Sequence, residues 1–236
     1  MTDSLARVHR EVTACERCPR LRTWCRLVAA SRVKRFRDQE YWGRPVPGFG
    51  DPCARLLIVG LAPAAHGGNR TGRIFTGDRS GDFLFAALHR AGFANQPTSV
   101  ARDDGLALRD CYIAAVARCA PPANKPAPVE IGRCREYLSR EWALLREPRA
   151  VLALGRIAMD GFLAMLRASE RPLPPGKVEF AHGRSHDLGG GVRLFCSYHV
   201  SQQNTFTGRL TPRGFDAVLA SVRLHLERGS MRPSRR

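Results

Sequence analysis

Residues 55–81 read RLLIVGLAPAAHGGNRTGRIFTGDRSG. The run Arg55 to Gly60 is apolar, short and closed by glycine, the pattern of a strand buried on both faces of a parallel sheet. The segment after it places Gly67, Gly68, Gly72, Gly77 and Gly81 where a backbone has to come close to something, and it enters a helical pattern near Ser80. A strand that hands a glycine-rich loop to a helix is the wall of a pocket. The loop has neither the Gly-Lys-Ser/Thr of a Walker motif nor a spaced dinucleotide fingerprint, so a nucleotide cradle is the weaker reading.

Working outward, three further short apolar runs have the same character: Cys111 to Ala117, Ala150 to Gly155 and Arg193 to His199. Helical periodicity lies between and after them, at about Ser80 to Ala91, Val129 to Arg146, Arg156 to Arg167 and Thr211 to Glu227. The alternation predicts an α/β fold, a three-layer α/β/α sandwich with a central four-stranded parallel sheet. Residues 1–227 are expected to form one domain, followed by a basic tail over 228–236. Pro172 to Gly176 and Gly189 to Gly191 read as turns, and Ser31 to Asp51 as an irregular, Gly/Pro-rich approach to the first strand. In such sheets ligands bind beyond the carboxyl ends of the strands, so the loops after Gly60, Ala117, Gly155 and His199 should converge.

With 236 residues and 44% hydrophobic content the chain can bury a real core. Its formal charge of +17 favours a polyanionic partner, nucleic acid first, although an arginine-rich composition can also reflect genome bias. No apolar run reaches the roughly 20 residues needed to span a bilayer, and Met1-Thr-Asp-Ser lacks the start of a signal peptide, which gives the expectation of an intracellular protein without a membrane partner. In a reducing compartment the eight cysteines are expected to be thiols. Cys15 and Cys18 form a CxxC pair that Cys119 and Cys134 complete as a four-thiolate metal site, and spacing alone leaves zinc and an iron-sulfur cluster open. Cys25, Cys53, Cys111 and Cys196 are assigned to packing.

Four segments in register carry a resemblance: Gly60 to Gly81, Cys119-Ala-Pro-Pro-Ala-Asn-Lys-Pro126, His199-Val-Ser-Gln-Gln-Asn204 and the cysteine quartet. Together they resemble the uracil-DNA glycosylase superfamily, and most closely its family 5, the B-type iron-sulfur enzymes. The resemblance implies a monofunctional glycosylase that flips a deaminated base out of double-stranded DNA and hydrolyses its N-glycosidic bond. It implies a 4Fe-4S cofactor on the four cysteines, a substrate-binding strand end at Gly60, Ala62, Pro63 and Ala64, and Phe75 stacked on the flipped base. His199 would donate to the departing base's carbonyl oxygen, supported by Ser201 and Asn204. Taken singly, Phe75 reads equally as core packing and His199 as a strand cap.

Departures from the pattern matter too. Leu61 and Ala62 stand where other families place an acid that orients water, which leaves Asp78 either to assist the water or to cap the helix near Ser80. Ala114-Ala115 replaces a uracil-reading Asn of the A-type enzymes, so hypoxanthine and xanthine join uracil as expected substrates, with Asn124 either a replacement catalytic contact or a turn residue. Gln203 or Leu210 is the expected duplex wedge, and Arg70, Arg73, Arg79 and Arg209 are expected phosphate contacts. The enzyme is expected to work as a cytoplasmic, nucleoid-associated monomer; the alternative is a metal-stapled DNA-binding module without catalysis, and a third reading is a redox protein.

Overall fold

A computed structural model of the chain describes residues 2–169 and 177–230. The turn expected at Pro172 to Gly176 and the last six residues of the basic tail lie outside these described residues. In chain order the helices are α1 (Leu5–Thr13), α2 (Pro19–Ser31), α3 (Gly68–Thr71), α4 (Arg79–Arg90), α5 (Pro128–Leu144), α6 (Arg156–Ala168), α7 (Gln202–Phe206) and α8 (Pro212–Ser230). The strands are β1 (Phe49–Gly50), β2 (Leu56–Gly60), β3 (Cys111–Ala115), β4 (Ala150–Leu154), β5 (Ser185–Asp187) and β6 (Arg193–Ser197).

The sheet runs β1-β3-β2-β4-β6-β5. Its four inner strands are parallel, as the apolar runs predict, with Leu56 opposite both Cys111 and Ala150, and Ala150 opposite Arg193. Two short antiparallel strands that periodicity did not reveal close the edges, β1 on β3 and β5 on β6. Alternation along the inner strands divides the core. Leu56, Ile58, Ile113, Leu152 and Phe195 pack with Leu84, Phe85 and Leu88 of α4 and Phe215, Leu219 and Val222 of α8. Leu57, Val59, Tyr112, Val151 and Leu194 face the other way, toward Leu138 and Trp142 of α5 and Phe162 and Leu163 of α6. Both faces are therefore covered, which is why the strands lack a polar side.

Helices α1 and α2, on either side of the CxxC turn, were not anticipated. Their apolar stripes are narrow, Val8 and Val12 in α1 and Leu21, Cys25 and Val28 in α2, within otherwise arginine-rich sequence. One packing assignment is corrected. Cys25, Cys111 and Cys196 are buried, but Cys53 is exposed, because Asp51 to Ala54 turns before β2 and the Cys53 amide bonds to Asp51 Oδ1.

Candidate active site

Three strand ends meet at one aromatic ring. The amides of Val116 and Ala117 donate to the carbonyls of Gly60 and Leu61, both at 3.0 Å, extending the β2–β3 pairing past the strand ends. Phe75 lies directly on Gly60: a Cβ there would come within 2.9 Å of the ring. Phe75 itself is left-handed, φ 53°, a costly conformation for an aromatic residue and one held by its surroundings. From the end of β6, His199 comes alongside, ring centroids 6.2 Å apart and planes tilted by 39°. The expected pair is thus brought together, with Phe75 6% exposed and His199 half-buried.

Burial holds the His199 imidazole below its ordinary pKa, so it is neutral at pH 7. No side chain or backbone group bonds either ring nitrogen among the described residues, which leaves one N–H free to donate. Its backbone is fixed instead, the carbonyl accepting from Asn204 Nδ2 at 2.7 Å. Asn204 therefore positions His199. Ser201 is the residue before α7, half-buried, and its carbonyl accepts the amides of Asn204 and Thr205. Ala62 and Ala64 are half-buried on the strand-end loop, while Pro63 is buried against Gly68.

Asp78 has the helix-capping role, its Oδ1 accepting from the Gly81 amide at 3.0 Å. Its other oxygen rests over Gly67, where a Cβ would sit 1.8 Å away, so only glycine tolerates the carboxylate there. Burial raises the Asp78 pKa, against the pull of the capping amides. Asn124 is exposed on the loop after β3 with φ 56°, the turn conformation Asn tolerates, and its side chain has no hydrogen bond among the described residues. Ala114 and Ala115 lie inside β3, fully buried, and present no polar edge.

Two expected phosphate contacts are corrected. Arg70 and Arg73 are 7% and 3% exposed and hold the loop from within. Arg70 donates to the His66 and Gly77 carbonyls at 2.8 and 2.7 Å, and Arg73 pairs with Asp104 at 2.8 Å while donating to the Arg102 carbonyl. A loop this rich in glycine needs internal ties, and arginine's fork supplies several at once. Arg79 and Arg209 remain exposed, stacked on Phe206 and Tyr198. Leu210 is likewise corrected: it is 1% exposed in the core beneath α7, not at a tip. The exposed apolar side chain of this segment is Phe206, 66% accessible, and Gln203 is exposed beside it. Sequence reading passed over Phe206 because a phenylalanine four residues from a buried leucine looks like core.

The sequence model of the uracil DNA glycosylase superfamily matches residues 47–223, which span β1 to α8 and every residue of this site. The chain belongs to that superfamily. It is 50% identical over 221 residues to the type-5 uracil-DNA glycosylase of Mycobacterium bovis, covering 93% of this chain and 81% of that one. Identity to the type-5 enzyme of Thermus thermophilus is 51% over 214 residues, 90% and 94% of the two chains. The type-4 uracil-DNA glycosylase of Pyrobaculum aerophilum is 29% identical over 196 residues, 83% and 82% of the two chains. Identity thus separates the type-5 members of the superfamily from a type-4 one.

The cysteine corner lies between the N-terminal helices and the loop after β3. Cys18, Cys119 and Cys134 are buried and Cys15 is half-buried, and none of them is in a disulfide. Cys134 senses the charge of Cys15 and Cys18, and Cys119 that of Cys134, so the quartet is one electrostatic neighbourhood. Burial raises the Cys18 and Cys134 pKa, while Arg133 and the Arg118 amide, which bond to those two sulfurs, pull the other way. Among the described residues no three His, Cys, Asp or Glu side chains close around a point for a single ion. Next to Cys119, Arg118 is 1% exposed and ion-paired with the wholly buried Glu141, yet its Nε and Nη1 have no partner among the described residues. Orphaned donors beside thiols fit a group that would accept them, and sulfide-bearing clusters do.

Proposed function

We propose that the chain hydrolyses the N-glycosidic bond of uracil flipped out of double-stranded DNA, leaving an abasic site. One observation carries this: Phe75 on Gly60 and the unpartnered, neutral imidazole of His199 6.2 Å away, at the carboxyl end of the sheet. An extruded base stacks on an aromatic face whichever base it is, and a preorganised donor is most valuable where charge develops. As the C1′–N1 bond breaks, its electron pair moves into the uracil ring and onto the carbonyl oxygens, one of which accepts from His199. The water oxygen then bonds to C1′, and its proton passes to a base. Asp78 takes that role through the oxygen not used in capping, since burial makes it a stronger base than an exposed carboxylate. Asn124, exposed on the loop after β3 with no side-chain hydrogen bond among the described residues, would complete the catalytic set.

Without a polar reader at Ala114 or Ala115, selection rests on stacking and on His199, which extends the substrates to hypoxanthine and xanthine. Phe206, exposed just after His199, fills the space that the base leaves in the duplex. Cys15, Cys18, Cys119 and Cys134 would hold a 4Fe-4S cluster, supported by the four-thiol donor set, the orphaned Arg118 donors and the type-5 likeness. Such a cluster would supply a structural staple tying the turn between α1 and α2 to the loop after β3 and to α5. Acting on chromosomal DNA, the protein would reside in the cytoplasm on the nucleoid, as a monomer.

The test is release of each base from duplexes containing one uracil, hypoxanthine or xanthine, read as alkali-labile cleavage, alongside iron and sulfide content of the anaerobically purified protein. Duplex binding with no cleavage would mean a DNA-binding module, uracil release alone would remove the broader range, and a colourless active protein containing zinc would overturn the cluster.

A further inference from the structure

The carboxyl end of the sheet carries a second feature, adjoining the base pocket. Residues 42–46 cross it, the amides of Trp42, Gly43 and Val46 donating to the carbonyls of Arg70 (2.8 Å), Asn69 (2.9 Å) and Arg118 (2.7 Å), on the loops after β2 and β3. Three depressions run into one another along this segment. The first, of about 690 Å³, is bounded by Arg70 and Thr71 of the Phe75 loop, by Trp42 and Arg44, and by Arg102. A second, about 430 Å³, shares Trp42 and Arg44 and reaches Glu16 inside the CxxC turn. The third, about 310 Å³, shares Arg44 and ends at Arg10 on α1. They make a continuous track from the catalytic loop to the cysteine corner.

The cations along it are of three kinds, Arg26 being exposed but paired with Glu16. Arg22 and Arg70 are buried and bonded to the protein, Arg22 to the Gly43 carbonyl. Arg10, Arg44 and Arg102 are exposed, and none has a side-chain hydrogen bond or ion pair among the described residues. Arg44 and Arg102 lie over the Trp42 ring, 5.6 and 4.6 Å from its centroid, and Trp42 is itself pinned by a bond from Nε1 to the Pro45 carbonyl. Stacking fixes a guanidinium plane at little further entropic cost and leaves its N–H edges free for an anion that accepts through two oxygens, as a phosphate does. Of the acidic residues nearby, Glu16 is engaged by Arg22 and Arg26, and Asp104 by Arg73, while Glu40 and Asp103, exposed and without an ion pair among the described residues, line the first depression. Three unpaired arginines against the two unpaired carboxylates Glu40 and Asp103 leave the free charge of the track positive and spaced along a groove.

We propose that this track binds the sugar-phosphate backbone of the substrate duplex, with Arg10, Arg44 and Arg102 each meeting a phosphate. This role rests on DNA being the substrate. It also gives the cysteine corner a task, to hold α1 and its Arg10 in line with Arg44 and Arg102.

The experiment is binding of the intact protein to an undamaged duplex, by fluorescence anisotropy at a series of salt concentrations, for wild type, the triple variant Arg10→Ala/Arg44→Ala/Arg102→Ala and the corresponding triple Lys variant. Each lost phosphate contact flattens the slope of log K against log[salt] by about 0.9, so the Ala triple should lose about 2.7 from the slope and the Lys triple almost nothing. In single-turnover uracil release the Ala triple should need more enzyme than wild type to reach half-saturation, with the plateau rate falling less than the affinity, because these residues meet the backbone and not the base. An Ala triple with the wild-type slope overturns the proposal, and so does a mononucleotide that loses affinity in the Ala triple while the duplex slope stays put, which would make the track a nucleotide site. A wild-type protein that binds duplex but releases no base would instead refute the glycosylase reading and leave the slope comparison standing.

Discussion

Replacing His199 with alanine isolates the one contact on which the chemistry depends. The imidazole stands 6.2 Å from Phe75 with no bonded partner for its ring among the described residues, so its removal strands none of those groups and opens space at a half-buried position. The backbone tie from Asn204 reaches the carbonyl of residue 199 and survives the change. Loss of one preorganised donor to a developing oxyanion costs about 2.7–4 kcal/mol, or 10²–10³ in rate. Stability should move by less than that, and affinity for duplex hardly at all, because the donor matters when the base carries charge. The assay is single-turnover release of uracil with enzyme in excess, paired with anisotropy on a duplex carrying a non-cleavable analogue. A pH series adds a sign. Since burial lowers the folded pKa of His199, the unfolded chain takes up the proton first, so this residue's contribution to stability is lost as pH falls below about 6.5, and the wild-type rate should be flat on its account from pH 7 upward. Equal losses in rate and in affinity, or a rate within a few-fold of wild type, would refute the donor assignment.

Asp78→Asn keeps a capping oxygen for the Gly81 amide but no basic oxygen, so the rate should fall by about 10²–10⁴ while the melting temperature holds or rises; an unchanged rate returns Asp78 to capping alone. Because burial raises its folded pKa, wild-type Asp78 costs stability as pH rises above about 3.9, a cost that a urea titration should find missing in the Asn variant. Arg118→Met leaves Glu141 charged with no exposure to water and should cost about 3–5 kcal/mol in chemical denaturation, most of it regained in Arg118→Met/Glu141→Gln, where the amide oxygen still accepts from Tyr112 and Gly48. Phe206→Ala should slow uracil release from duplex about tenfold and leave release from single strands alone, since only the duplex has a vacated space to fill; the same fold-change on both substrates, or none on either, would contradict the wedge.

The parallel sheet was legible because four apolar runs are too short and too uniformly apolar for anything but strands covered on both faces, and Leu56 to Gly60 shows this, every residue of it buried. The two edge strands were not legible, since Phe49–Gly50 and Ser185–Asp187 owe their pairing to neighbours outside their own short segments. Phe75, in the loop between β2 and α4, and His199, just past the end of β6, were visible as motif residues. Their meeting depends on Gly60 having no side chain, a fact that the glycine pattern signalled. Charge misled where it was read residue by residue. Arg70 and Arg73 look like phosphate ligands in a glycine-rich loop, and only their partners, the His66 and Gly77 carbonyls and Asp104, show that the loop consumes them. The exposed cations Arg44 and Arg102 are marked by Trp42, which lies far from Arg102 along the chain, in no recognisable pattern, and meets it only after folding.

The central claim is that one extruded base sits between Phe75 and His199. A crystal structure of the protein with a duplex carrying a single 2′-fluoro-deoxyuridine, which resists cleavage, tests it directly. The account predicts the uracil ring out of the helix and stacked on Phe75, with a carbonyl oxygen about 2.7–3.1 Å from a His199 ring nitrogen. A productive complex in which the uracil stays in the stack, or lodges at another surface with His199 unengaged, would contradict it.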